Sequence, residues 1–216
     1  MGNGSIPQFD VLERWSPTLF LASGAVLVFY AIFMGLWAFT DVMPEGHGLE
    51  IGYMLGFLGL LGLYPSLSKR SPWLVRLGAI AAGCGVFAIL YVSVNDFVHL
   101  AGLTSDNLPG WQFLKLLPLV GFLLGYLPIG IASLRSDVYP RTVGVLLLMP
   151  GVITVLMLAS IITGHPLLDR FQTVFVVSAG EAMAHLAIGT TLKTDASTTE
   201  GEKSSTTSDR EVVAHE

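Results

Sequence analysis

The chain has 216 residues, of which 52% are hydrophobic and 12% charged, with a formal net charge of −5. A soluble domain carries roughly 25% charged residues, so a water-solvated globule is excluded, and the acidic balance excludes the basic footprint of a nucleic-acid binder. The single cysteine, Cys84, rules out an intrachain disulfide or a multi-thiolate metal site and, set in an apolar run, reads as a small packing residue.

The first segment, residues 1–17, reads as a cytoplasmic N-terminal segment. It lacks the basic n-region of a secretory signal, and Ile6 stands where a myristoylation pattern needs Ser or Thr. Apolar runs follow at about 18–40, 49–67, 73–101, 112–134, 142–163 and 168–190. Each approaches or exceeds the roughly 20 helical residues that cross a hydrocarbon core about 30 Å thick. The expected fold is all-α, a polytopic membrane helical bundle of about six transmembrane helices occupying 18–190. The second run is the shortest and the richest in glycine. The third is longer than a crossing requires, so it tilts or projects into the interface.

Basic residues set the orientation. Arg14, Lys69, Arg70, Arg76, Arg135, Arg141 and Lys193 fall on one side, whereas the other holds Lys115 and Arg170 with Asp41, Glu45, Glu50, Asp106 and Asp169. This split predicts a multi-pass protein of the cell membrane with both termini in the cytoplasm (N-in/C-in). Trp15, Trp37, Trp73 and Trp111 stand at span ends, as an interfacial aromatic belt requires.

Gly52, Gly56, Gly59 and Gly62 mark the second span. The first pair fits the small-xxx-small pattern of close helix packing, either within the chain or against a second copy or membrane partner. Pro118, Pro128 and Pro150 each remove a helical hydrogen bond and favour a kink. Residues 191–216 are rich in Ser, Thr and acids, with a net charge of −3 from Lys193, Lys203 and Arg210 against Asp195, Glu200, Glu202, Asp209, Glu211 and Glu216. That composition cannot bury enough apolar surface to fold alone and predicts a disordered acidic cytoplasmic tail.

An ionisable group inside a bilayer is costly and marks a functional position by default. Glu181 lies 12 residues beyond Asp169, about 18 Å along a helix and near the bilayer middle. Ser178, Glu181 and His185 recur at helical spacing on one face. A Glu181–His185 pair one turn apart could carry protons or hold a cation. The plainer alternative is a polar contact between helices, with one member bonded to a tyrosine such as Tyr30 or Tyr126. On the outer side, His47, His99 and His165 stand near the level of Asp96, Glu50 and Asp169. His and carboxylate side chains suit a divalent metal of the zinc type, so His47, His99, His165 and Asp96 form a candidate metal set, without any recognised spacing motif. Depth separates Asp96, near the outer boundary, from Glu181. An acid followed by His in spans three and six, Asp96/His99 and Glu181/His185, is the one trace of an inverted repeat.

The stretch GYMLGFLGLLGLYPSLSKRSPWLVRLGAIAAGCGVFAIL, from Gly52 onward, resembles small uncharacterised multi-span membrane proteins of halophilic archaea, as do the low lysine count and the acidic Ser/Thr tail. The resemblance implies no known activity and transfers no functional residue. The leading expectation is transport or sensing of a proton, ion or small solute through Glu181 and His185. The alternatives are a membrane-embedded metal-dependent hydrolase on the outer histidines, or a non-catalytic accessory subunit whose glycine-rich faces pack against a partner.

Overall fold

A computed structural model of the chain describes the backbone of residues 7–40, 50–103, 110, 114, 117–163 and 170–213, and no strand occurs among them. The helices are α1 (Pro7–Thr40), α2 (Ile51–Gly62), α3 (Tyr64–Ser68), α4 (Pro72–Leu100), α5 (Leu117–Arg135), α6 (Arg141–Thr163) and α7 (Arg170–Val213). Five of these, α1, α4, α5, α6 and α7, contain apolar stretches long enough to cross a membrane. The second predicted run divides instead. Helix α2 has 12 residues, about 18 Å at the α-helical rise, and is followed at once by the five-residue α3 with proline in its first turn. Pro65 cannot donate to the preceding turn, so an unbroken apolar run in sequence becomes two helices in space.

Two helices outrun their predicted spans. Helix α1 begins at Pro7 rather than near residue 18, and α7 continues through the polar residues after 190 as far as Val213. Hydropathy locates the crossing, whereas backbone hydrogen bonding continues for as long as no breaker intervenes.

The elements pack as a closed ring in the order α1, α2, α4, α5, α6, α7 and back to α1, with α2 also touching α5. The outer surface is apolar. Phe29 on α1, Ile80 and Phe87 on α4, Leu156 on α6 and Met183 on α7 are all exposed. A surface of this kind matches a hydrocarbon solvent. Inside, Phe20, Phe57, Leu60, Leu63, Leu67, Ile129, Leu147 and Ile188 are buried together.

Glycines set the close approaches. A Cβ on Gly24 of α1 would lie 2.8 Å from the backbone nitrogen of Leu186, and one on Gly189 of α7 would lie 2.8 Å from the backbone nitrogen of Leu21. The two helices therefore meet almost backbone to backbone, each through a glycine of its own. Gly52, Gly59 and Gly62 of α2 face Leu27, Phe20 and the carbonyl of Leu12 on α1. Two serines of α1, one heptad apart, bridge this seam. The Ser16 hydroxyl donates to the Gly59 carbonyl at 2.7 Å, and the Ser23 hydroxyl donates to the Gly52 carbonyl at 2.6 Å. The small-residue face of α2 is thus used within the chain.

In α5, a π turn spans Gly121–Tyr126 immediately before Pro128. The missing N–H of Pro128 interrupts the helical ladder, and the wider turn absorbs the interruption. The same turn carries Tyr126 into the core, where it is fully buried.

Candidate functional site

Ser178, Glu181 and His185 of α7 are all buried. They serve two separate hydrogen-bonded groups, because both ring nitrogens of His185 are taken by other helices. Its Nδ1 lies 2.8 Å from the Ser23 hydroxyl and its Nε2 lies 2.7 Å from the Tyr126 hydroxyl. Of the two sequence-level readings of His185, the contact with Tyr126 is the one formed, and the side-chain bond to Glu181 is not.

The proton positions in this group follow from chemistry. A carbonyl only accepts, so the one hydrogen of Ser23 goes to Gly52. Ser23 therefore accepts from His185, which fixes the proton on Nδ1. Nε2 is then the acceptor and takes the hydrogen of Tyr126. The result is a directed series, Tyr126 to His185 to Ser23 to the Gly52 carbonyl, in which every hydrogen is used and the imidazole is neutral. Tyr126 also stacks on the imidazole, with centroids 5.6 Å apart, and Phe20 covers it from α1 at 5.8 Å. Gly56 provides the slot: a Cβ there would lie 2.7 Å from His185 Cε1, 2.8 Å from the Tyr126 hydroxyl and 3.1 Å from the Ser23 hydroxyl.

Glu181 stands one turn earlier on α7 and belongs to the second group. Tyr53 of α2 donates to its carboxyl group and is hydrogen-bonded to Ser178 as well. The second carboxyl oxygen, Oε2, is buried and has no hydrogen-bond partner among the described residues. An unpartnered polar atom in an apolar interior is expensive, so its persistence points to an occupant or a function. Tyr53 packs edge-on against Tyr30 of α1 and Phe122 of α5, at 6.1 and 5.2 Å between centroids. Tyr30 lies within electrostatic reach of both Glu181 and Glu50, the residue that precedes α2. Tyr53 and Gly56 carried no chemical motif in sequence. Gly56 showed only as half of the Gly52/Gly56 packing pair, and Tyr53 gave no signal of its own.

The outer candidates are less complete. His47 and His165 lie outside the described residues. Asp96 and His99 share α4 one turn apart. The Asn95 amide donates to Asp96 at 3.5 Å, while the buried His99 Nε2 has no hydrogen-bond partner among the described residues. Among the described residues, no group of three or more His, Cys, Asp or Glu side chains is placed to hold a metal ion.

At the opposite end of the bundle, the Ser66 hydroxyl of α3 donates to Glu13 of α1. Tyr139, in the turn between α5 and α6, joins them. Burial first, and then the nearby Glu13 carboxylate, push its phenol up to about 12. Comparison of the chain with family models, with curated proteins and with solved structures returns no match.

Proposed function

We propose that this chain is a six-crossing membrane protein with both termini in the cytoplasm, and that it moves or senses a proton or small cation through Glu181. The observation that carries the reading is the carboxyl group itself. It is buried within an apolar helix of a lipid-compatible bundle, one oxygen is held by Tyr53, and the other has no hydrogen-bond partner among the described residues. A purely structural carboxyl in such a place would be expected to have both oxygens satisfied.

Helix α2, with α3, supplies the sixth crossing. It is short, but α1, α4 and α5 surround it, so its ends need not meet lipid. The Lys and Arg residues at the α3–α4 and α5–α6 turns support a cytoplasmic placement of that end. His185 enters this reading as a positioning residue, since its hydrogen bonds hold α1, α5 and α7 in register around Glu181.

The test is a pH gradient imposed across proteoliposomes that contain the purified protein and an internal pH dye. The wild-type chain is expected to dissipate the gradient, or to show a proton-coupled response to an added monovalent cation. Glu181→Gln keeps the shape and the Tyr53 contact but cannot ionise, and it is expected to abolish that response while folding normally. Unchanged flux in Glu181→Gln would sink the proposal.

A further inference from the structure

The two polar groups of α7 are unlike in one respect that bears on direction. From Glu181 toward the end of the bundle where α2 begins, hydroxyl and carboxyl groups succeed one another. Tyr53 donates to Glu181, Tyr30 packs on Tyr53, and Tyr30 is close to both Glu181 and the half-buried Glu50. From Glu181 toward the opposite end, the next polar group is His185, whose ring is closed on both sides by hydrogen bonds. Beyond it the interior is filled by Phe20, Leu60, Leu63, Leu67, Ile188 and Leu192.

The hydrogen-bond direction makes His185 a stop. The series Tyr126, His185, Ser23 ends on the Gly52 carbonyl near the start of α2, which accepts a hydrogen bond but has no proton to release, so it offers no route toward the opposite end. Phe20, Tyr126 and the Gly56 slot pack around the ring.

Resting on the reading of Glu181 as the titrating group, we infer that its proton exchanges only with the side of the membrane at which α2 begins, past Tyr53, Tyr30 and Glu50, and that the Tyr126–His185–Ser23 series seals it from the other side. In the exchange, the Glu181 carboxylic acid gives its proton to water arriving from that side and becomes a carboxylate, and the reverse step reloads it. Tyr30 from α1, Tyr53 from α2 and Tyr126 from α5 lie within electrostatic reach of it, and Glu50 lies within reach of Tyr30. Helix α6 contributes Ile153, against Gly180. Passage across the membrane then requires the seal to break.

Sided thiol labelling of the full-length chain tests this without requiring flux. Cys84 is exposed on α4 and is first replaced by Ala. Tyr30→Cys, Ser178→Cys and Ile188→Cys are then each treated, in vesicles of known orientation, with a membrane-impermeant thiosulfonate added to one side or the other. Tyr30→Cys and Ser178→Cys are expected to react from the side where α2 begins and not from the side of the α3–α4 turn, and Ile188→Cys from neither. Equal labelling of Tyr30→Cys and Ser178→Cys from both sides, or labelling only from the α3–α4 side, overturns the one-sided path. Labelling of Ile188→Cys from the α3–α4 side overturns the seal. Should Glu181→Gln leave flux unchanged, the functional reading fails instead, whatever the labelling shows.

Discussion

Gly56→Leu is expected to yield no recoverable folded protein, and Gly56→Ala a protein that melts well below the wild type in detergent. The new Cβ would fall 2.7 Å from His185 Cε1, 2.8 Å from the Tyr126 hydroxyl and 3.1 Å from the Ser23 hydroxyl, three members of one hydrogen-bonded series. None of these groups has open space to retreat into, since His185 and Tyr126 are fully buried. Overpacking alone costs about 1–3 kcal/mol. Each interhelical hydrogen bond displaced adds about 0.6 kcal/mol, up to about 1.7. Gly83→Ala is the control, because nothing lies within 4 Å of the Cβ it would add. In an otherwise regular helix that change should be neutral or stabilising by up to about 1 kcal/mol. Equal melting of Gly56→Ala and Gly83→Ala would show that the slot is not tight.

The second large effect is expected from a double-mutant cycle on His185 and Tyr126. Tyr126→Phe keeps the ring stack and removes only the donor to Nε2, and should cost about 1 kcal/mol. His185→Leu empties the centre of the series, leaving the buried Tyr126 hydroxyl without an acceptor, and should cost about 2–4 kcal/mol. Ser23 still has Gly52, so it does not add to the loss. Once His185 is gone, Tyr126→Phe removes an unsatisfied hydroxyl and should cost nothing or stabilise. The double mutant is therefore expected to fall short of the sum by about 1 kcal/mol or more. Strict additivity, read from thermal or denaturant unfolding in detergent, would mean that the two groups do not interact.

The helical bundle was legible because run length and charge placement report the solvent directly. What run length hid was the break inside the second run, where Pro65 starts a new helix, and the extension of α1 and α7 into polar sequence. Glu181 stood out because a carboxyl group in an apolar run is costly wherever it points. Spacing alone left its relation to His185 open between a direct pair and a bond to a tyrosine. Residues four apart share a helix face, but which group each one bonds depends on the helices packed against that face. For His185 those partners are Ser23, 162 residues away, and Tyr126, 59 residues away. No periodicity within α7 encodes such distances. Tyr126 reaches the ring through a π turn set by Pro128, and the ring has room because position 56 is glycine. Both residues were visible in the sequence, as a kink and as a packing motif, without any sign that they shape one site.

Infrared difference spectroscopy of the protein in liposomes, as pH is raised across the range in which carboxyl groups titrate, tests the central claim most directly. A protonated carboxyl absorbs apart from a carboxylate and from the amide backbone, so Glu181 can be followed without knowing what the protein transports. The wild-type chain is expected to lose a protonated-carboxyl band as pH rises, with Tyr53→Phe shifting the titration and Glu181→Gln removing the band. Spectra of the wild type and Glu181→Gln that coincide at every pH would show that Glu181 does not exchange a proton, and would contradict the assignment of the site.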